Sequence, residues 1–363
     1  MITLSSQLIK KIRGEAVHAE KQGKLTSSQL DTIYQERWFH LLIPQTLGGK
    51  EMDLPTFARF METLAWVDGS FAWAVNLGAG ANMFAGFMEE NIAKDIFESE
   101  KTCIAGSGAV NGTATRRKDG YLIEGYWKYA SGSSHATHFS LNAMLVDANK
   151  KPGTEFRSFL VPADKVSVIE SWQVSGLKAT ASHDFKVDKV WVHEDSLFNL
   201  QEPSSHAQGA LYQFPFMLLA EINMVVMVNG LALRFLELAK TIAGGKPIYA
   251  SGKSGTMLLE ANARFKKTSV NVEQSFMKKK EQLFDCLDQC WQAVAKGEKI
   301  EKKIGKKLSM LVLQTAVSAG QLVDGLYPFL GMNVVFENTE INRVWRDFKT
   351  ASQHALLSPL RNI

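Results

Sequence analysis

The feature that most constrains the fold is that the periodicity of the apolar residues changes twice along the chain. Through about the first hundred residues, apolar side chains recur at three- and four-residue steps, as on one face of a helix. From Thr102 to about Phe198, apolar and polar residues alternate, and turn signals such as Asp119-Gly120 separate the segments. Helical spacing returns from about Gln208. The pattern predicts helices, then a block of antiparallel strands, then helices, an order that few architectures share.

Local signals place several of the element ends. Thr26-Ser27-Ser28 predicts a helix N-terminus, and Pro55 suits the first turn of a later helix. Lys151-Pro152-Gly153 predicts a turn between two strands. In the last part, breaks at 244–247 and 296–305 leave room for about four helices of twenty or more residues, which suggests a bundle.

Composition and charge exclude several classes of protein. The 41 basic and 37 acidic residues give a net charge of +4, too small over 363 residues to indicate nucleic acid as a partner. The most apolar stretch, Met217 to Ala239, contains Glu221 and Arg234, so we expect a buried core helix and no membrane span. Met1 to Lys11 lacks the apolar region of a secretory signal, and we expect the protein in the cytoplasm.

Two pairs of potential metal ligands occur, and neither predicts a metal site. Cys286 and Cys290 lie four residues apart on one predicted helix face, but no second pair accompanies them. His135 and His138 lie three apart in a predicted turn-to-strand segment, a spacing that does not set both side chains on one face. Three cysteines in all also give no disulfide framework.

Four motifs, in order, resemble the acyl-CoA dehydrogenase superfamily, and they extend over nearly the whole chain. They are the loop Leu41-Leu-Ile-Pro-Gln-Thr-Leu-Gly-Gly, the helix Glu62-Thr-Leu-Ala-Trp-Val-Asp-Gly-Ser, the segment Val174-Ser-Gly-Leu-Lys-Ala-Thr-Ala-Ser-His-Asp and the helix Arg343-Val-Trp-Arg-Asp. The resemblance implies a mainly α fold with inserted β. It consists of an N-terminal helical domain over 1–100, a middle antiparallel β-barrel over 101–200 and a C-terminal four-helix bundle over 201–363.

Three segments favour one branch of that superfamily, the two-component flavin-dependent monooxygenases. Tyr129-Ala-Ser-Gly-Ser-Ser-His-Ala resembles their "FASG-x-x-HA" turn, and Gly176-Leu-Lys-Ala-Thr-Ala-Ser-His-Asp resembles their "GLR-x-TGSHD". Trp345-Arg-Asp-Phe-Lys-Thr-Ala-Ser-Gln-His resembles their "WRD-x-x-x-AS-x-H". The resemblance implies reduced flavin (FMN or FAD) as cofactor, a separate flavin reductase as partner, a small aromatic or heterocyclic substrate and a homotetramer.

The same resemblance implies which residues bind the cofactor. It places Ser131 and Ser134 in the turn beside the flavin, and Ser131 would donate a hydrogen bond near the reactive edge of the ring. Thr180, Ser182 and His183 would face the flavin ring or its ribityl chain.

Two residues are candidates for the catalytic base. In a monooxygenase it is His354, because an imidazole titrates near neutral pH. The alternative is an acyl-CoA dehydrogenase, in which Glu221 on the first bundle helix removes the substrate proton with a pKa that burial raises. The glutamate that most such dehydrogenases carry further along is absent, since no acidic residue follows Asp347. Glu221 is otherwise a structural partner of Arg234 or of another buried base.

The chain departs from the superfamily where the phosphates of the cofactor bind. Thr241-Ile-Ala-Gly-Gly-Lys-Pro lacks the arginine and the phenylalanine of "R-x-x-FGKP". This loss favours FMN or transiently bound reduced flavin over tightly bound FAD. Lys246, Lys253 and Arg264 are candidate phosphate ligands.

A third alternative belongs to another class of protein. The fold can persist without flavin in a binding or scaffold protein, since a fold does not imply one function. Side chains such as Trp127 or Phe214 would then fill the pocket.

Overall fold

The N-terminal part of the chain is helical. The computed structural model describes residues 4–147, 152–249 and 256–361. The first of these ranges begins with α1 Ser6–Gln22, α2 Ser27–Gln35, α3 Leu54–Val67, α4 Gly69–Asn82 and α5 Glu90–Phe97.

Side-chain caps explain where these helices begin. Thr26 and Gln29 form a capping box at the start of α2, so the predicted N-terminus is confirmed. Asp53 accepts a hydrogen bond from a first-turn N–H of α3, and Pro55 occupies that first turn as predicted. Asp68 caps α4 in the same way, through a bond of 2.9 Å, although its carboxylate is buried.

The middle part forms one seven-stranded sheet. Its strands lie in the order β5-β6-β2-β1-β3-β4-β7. All pairs are antiparallel except β1 with β3, which is parallel, so the prediction of a purely antiparallel block was wrong. In the predicted turn Lys151-Pro152-Gly153, Lys151 lies outside the described residues. The strands are β1 Ile104–Arg117, β2 Gly120–Ala130, β3 His138–Val146, β4 Pro152–Pro162, β5 Ser167–Ile169, β6 His183–His193 and β7 Leu197–Phe198.

The parallel pair arises from the turn that connects β2 to β3. β2 is antiparallel to β1, and His138 of β3 pairs with Ile104 at the start of β1. The segment 131–137 therefore crosses the end of β1 and delivers β3 to its other side. This crossing turn carries Ser131 and Ser134, so the mixed topology places the candidate residues at one end of the sheet.

Trp127 fills the interior of the sheet. Its indole is fully buried, stacks on Phe185 at 5.3 Å and donates a hydrogen bond of 3.0 Å to the Asn142 carbonyl. Gly112 and Gly125 lie opposite each other in β1 and β2 and leave room for this ring, since a Cβ at Gly112 would lie 2.3 Å from it. The sheet thus has its own aromatic core.

The C-terminal part is again helical. A short hairpin, β8 Pro247–Tyr249 with β9 Thr256–Leu258, separates the first two long helices. Among the described residues of this part, three helices exceed twenty residues and the last has 12, so the expected four long helices were wrong for the fourth. The helices are α6 Ala210–Gln213, α7 Phe216–Gly245, α8 Ala263–Ala295, α9 Lys302–Leu330 and α10 Glu340–Ala351.

Helix α7 is the central element of this part. It is the one helix of the described residues that is long and apolar enough to span a membrane, but 72% of its most apolar window is buried inside the protein. Gly230 lets α7 approach α3 closely, because a Cβ there would lie 2.2 Å from the Glu62 carbonyl oxygen. The predicted core helix is therefore confirmed.

Candidate active site

A chain of hydrogen bonds joins four polar side chains from three parts of the sequence. Trp73 Nε1 in α4 donates to Ser131 Oγ at 3.0 Å. Ser131 Oγ lies 2.7 Å from Ser182 Oγ, which lies 2.7 Å from Thr180 Oγ1. Thr180 Oγ1 donates to the Leu177 carbonyl at 2.8 Å. The structure thus brings three of the predicted cofactor-binding residues together and adds Trp73, which the sequence analysis did not select.

The direction of this hydroxyl chain is fixed by its two ends. Each hydroxyl carries one proton, and the Leu177 carbonyl can only accept, so the Thr180 proton points there. Thr180 must then accept from Ser182, and Ser182 from Ser131. Ser131 accepts from Trp73 and keeps one free lone pair. In this arrangement the remaining hydrogen-bonding capacity of Ser131 is one acceptor lone pair, and the expected role of Ser131 as a donor to flavin stays a prediction.

Hydrogen bonds to main-chain carbonyls hold the two serine-bearing segments side by side. The Gly132 N–H donates to the Thr180 carbonyl at 2.8 Å, and Ser133 Oγ donates to the Ala181 carbonyl at 2.7 Å. Gly132 has a φ of +81° and Ala181 has a φ of +44°. A left-handed backbone at a non-glycine residue is strained and persists where the surrounding contacts determine it, which is typical of functional sites.

His354 approaches the same cluster from beyond the end of α10. Its ring centroid lies 6.0 Å from that of Trp73, so Trp73 contacts both Ser131 of the hydroxyl chain and the imidazole of His354. Burial lowers the pKa of His354, and the ring is neutral at pH 7. Its Nδ1 accepts a hydrogen bond of 3.3 Å from the Leu356 N–H.

Helix α10 supports the Leu177 end of the hydroxyl chain. The Leu177 N–H donates to Asp347 Oδ1 at 2.5 Å. Gly176 lies against the backbone of α10, where a Cβ would fall 2.0 Å from the Arg346 carbonyl oxygen. Burial, together with the nearby Asp68 carboxylate, raises the pKa of Asp347 to about 7.

The raised pKa of Asp347 predicts a pH-dependent stability. The folded protein holds this proton up to about pH 7, whereas the unfolded chain releases it near an ordinary aspartate pKa of about 4. The free energy of unfolding should therefore fall as pH rises between these values. In Asp347→Asn we expect a flatter dependence of Tm on pH from 5 to 8. Asp288→Asn, at a half-exposed ion pair with Arg59, is the control, and parallel curves for all three proteins would contradict the prediction.

Comparison with known proteins identifies homologues of the chain. No family model matches the chain. The chain is 23% identical to indole-3-acetate monooxygenase from Acinetobacter baumannii over 353 residues, 96% of this chain and 89% of the relative. It is 22% identical to the oxygenase subunit HsaA of a flavin-dependent monooxygenase from Mycobacterium tuberculosis, over 98% of this chain and 91% of the relative. The chain is a homologue of the flavin-dependent monooxygenases.

The structural comparison shows the fold that the chain shares with solved proteins. XiaF from Streptomyces, solved in complex with FADH2 and glycerol, superposes with a TM-score of 0.86 at 21% identity, over 97% of this chain and 90% of that chain. The predicted acyl-CoA dehydrogenase-like fold and the predicted two-component monooxygenase branch are confirmed.

Two of the residues predicted to bind flavin lie beside the hydroxyl chain of this monooxygenase homologue. The Ser134 side chain is exposed on the crossing turn. His183 is half-buried, and its Nδ1 accepts a hydrogen bond of 3.2 Å from the Trp172 N–H. Both remain predictions as cofactor contacts.

Glu221 is occupied by structural partners. Its Oε1 lies 2.9 Å from Arg361 Nη2, and its Oε2 accepts a hydrogen bond of 2.6 Å from Ser309. Arg234 pairs with Glu340 at 2.7 Å, so it is not the partner of Glu221. The alternative that Glu221 pairs with another buried base describes this geometry, in which both carboxylate oxygens have partners, and the catalytic role of Glu221 stays a prediction.

The candidate phosphate ligands differ in their availability. Lys246 Nζ donates to the Phe329 carbonyl at 2.9 Å and so caps the end of α9. Arg264 is exposed at the start of α8. Lys253 lies outside the described residues.

The side chains proposed to fill a flavin-free pocket belong to packed cores. Trp127 lies inside the sheet, and Phe214 is buried with its ring 6.3 Å from that of Trp291 in α8. In the described ranges, no three His, Cys, Asp or Glu side chains are grouped as metal ligands. His135 stacks on Phe39 at 5.7 Å, and burial lowers its pKa to about 4.

Proposed function

We propose that this protein is the oxygenase component of a two-component system that hydroxylates a small aromatic or heteroaromatic compound with reduced flavin and oxygen. The observation that carries the proposal is the hydroxyl chain from Trp73 through Ser131, with His354 packed on the same tryptophan. The names of the relatives support it, since they describe an indole-3-acetate monooxygenase and an oxygenase subunit. The word "subunit" supports a separate flavin reductase as partner.

The residues present fit a flavin. When bound, reduced flavin supplies the activation of oxygen for transfer to the substrate. The free lone pair of Ser131 accepts a hydrogen bond, and the reduced ring carries a central N–H that the oxidised ring lacks. The directed hydroxyl chain would therefore favour the reduced cofactor. Thr180 and Ser182, both buried, would hold Ser131 in place.

His354 would remove the proton of a substrate O–H or N–H. Its lowered pKa leaves the ring neutral and ready to accept. A proton accepted at Nε2 requires the tautomer with hydrogen on Nδ1, which breaks the contact with the Leu356 N–H. Because that contact is long, at 3.3 Å, the switch costs about 1 kcal/mol. Trp73 would shield the reacting atoms from water.

We also propose the wider organisation of the protein. Domain limits near residues 100 and 200 follow the two changes between helices and strands. A homotetramer and a cytoplasmic location accord with the family resemblance. FMN and FAD both remain candidates, because Lys246 caps α9 while Arg264 is exposed and available to a phosphate.

The test is an anaerobic titration with reduced FMN and reduced FAD, followed by oxygen and a panel of phenols and indoles. We expect one reduced flavin to bind more tightly than its oxidised form, and we expect hydroxylated product with at least one compound. Tight binding of oxidised FAD that is bleached by acyl-CoA thioesters would overturn the proposal in favour of a dehydrogenase. Absence of binding by either flavin would overturn the enzyme function altogether.

A further inference from the structure

A buried ion pair joins the first long bundle helix to the end of the described chain. Glu221 in α7 lies 2.9 Å from Arg361, and Ser309 in α9 donates to the other oxygen of Glu221. Glu221 is 5% exposed, and the side chain of Arg361 is 16% exposed. We call Glu221, Arg361 and Ser309 the clasp.

The clasp reaches the turn that carries His354. Arg361 Nη1 donates to the Leu356 carbonyl at 2.8 Å. The N–H of the same residue, Leu356, donates to His354 Nδ1. One residue thus receives the clasp at its carbonyl and, in the resting tautomer, contacts the imidazole with its amide, while Leu357 packs the turn into the core.

The clasp is the polar anchor of this turn to the bundle. The turn Ala355–Leu357 is a single 3₁₀ turn, and a segment so short has little stability of its own. In the clasp, the second carboxylate oxygen of Glu221 also has a hydrogen bond. Removing one partner of such a shielded ion pair is strongly destabilising, because the other charge stays buried and unpaired. We therefore expect the position of the imidazole against Trp73 to depend on two charged side chains, Glu221 and Arg361, that do not contact it.

We propose that Glu221 and Arg361 are positioning residues, which hold the turn of His354 so that the imidazole stays against Trp73. Glu221 acts through Arg361 and Leu356, and it does not exchange protons with a substrate. The inference rests on the proposed role of His354 in catalysis. Its structural half, the anchoring of the turn, stands apart from that role and is measured without flavin.

The experiment compares Glu221→Gln, Arg361→Met and the double variant. Hydrogen exchange of the amides of residues 355–358 is measured first, in the protein without flavin. We expect each single variant to exchange about tenfold faster there. The double variant should be no faster than the faster single, since the two residues act as one unit. Lys280→Met, which breaks a similarly shielded ion pair with Glu62, is the control and should leave this exchange unchanged.

Turnover then separates positioning from general stability. With reduced flavin and an accepted aromatic substrate, we expect kcat to fall about tenfold in both single variants, with the Kd of reduced flavin within about twofold of wild type. Unchanged exchange at 355–358, or equal effects in Lys280→Met, would overturn the anchoring. Faster exchange with unchanged kcat would overturn the link to catalysis. Failure of the wild-type protein to hydroxylate any compound would instead count against the proposed function, and the exchange result would stand.

Discussion

Replacing His354 by alanine or glutamine is expected to lower the rate of hydroxylation about 100-fold, the usual contribution of a general base. The Kd of reduced flavin should change by less than about twofold, because His354 acts on the substrate. In the wild type, the rate should fall as pH drops through the pKa of His354, which burial places below its ordinary value of 6.5. The protonated ring has no lone pair for the substrate proton, so both variants should lose this acidic limb.

The two replacements distinguish a base from a hydrogen-bond donor. Glutamine can donate a hydrogen bond but is a poor base, whereas alanine does neither. Near-normal rates in His354→Gln with a large loss in His354→Ala would mean that His354 donates from Nε2 to a substrate oxygen. His18→Gln, at an exposed position in α1, is the control for replacing a histidine away from the candidate site. Rates are measured from product formed per unit time between pH 5 and 9.

Ser131→Ala is expected to remove most of the preference for reduced over oxidised flavin. The loss of one hydrogen bond of this type is worth about 0.5–1.5 kcal/mol, or roughly two- to twelvefold in the ratio of the two dissociation constants. We also expect more of the consumed oxygen to appear as hydrogen peroxide and less as product, because the cofactor is held less firmly. Both quantities are measured by anaerobic titration and by peroxide assay.

Two further serine variants make the Ser131 result specific. In Ser182→Ala, Ser131 loses the partner of its proton but keeps its acceptor lone pair, so the preference for reduced flavin should largely remain. Ser158→Ala removes a serine with an equally short bond, 2.7 Å to Asn142, in the neighbouring strands β3 and β4, and should have no effect. A Ser182→Ala loss as large as that of Ser131→Ala would contradict the fixed direction of the hydroxyl chain.

Local chemistry explains what the sequence predicted well. The start of α2 at Thr26 and that of α3 at Asp53 depend on hydrogen bonds within three residues, which the sequence displays directly. The parallel pairing of β1 with β3 depends on where the crossing turn delivers the chain. Alternation of apolar residues indicates a strand, but it does not identify the neighbouring strand.

The candidate site was predictable only where a motif carried it. Ser131, Thr180 and Ser182 came from segments that resemble the family, but the hydrogen bond between Ser131 and Ser182 joins residues 51 positions apart. Trp73 was missed because a tryptophan among apolar residues in a helix indicates a core. Glu221 was considered as a base because of its place on the first bundle helix, and its partner Arg361 gives no signal near it in the sequence.

The backbone of Leu177 has a consequence for how such sites are searched. Its carbonyl accepts from Thr180 and from Trp172 Nε1, and its N–H donates to Asp347, while its φ is +52°. Alanine at position 177 would remove none of these bonds, since Leu177 makes all of them with main-chain atoms. Glycine or asparagine would adopt the same conformation readily, so these main-chain bonds do not require the leucine side chain. Methods that rank residues by side-chain identity would pass over it, whereas an amide-to-ester replacement of the bond between Gly176 and Leu177 would expose it.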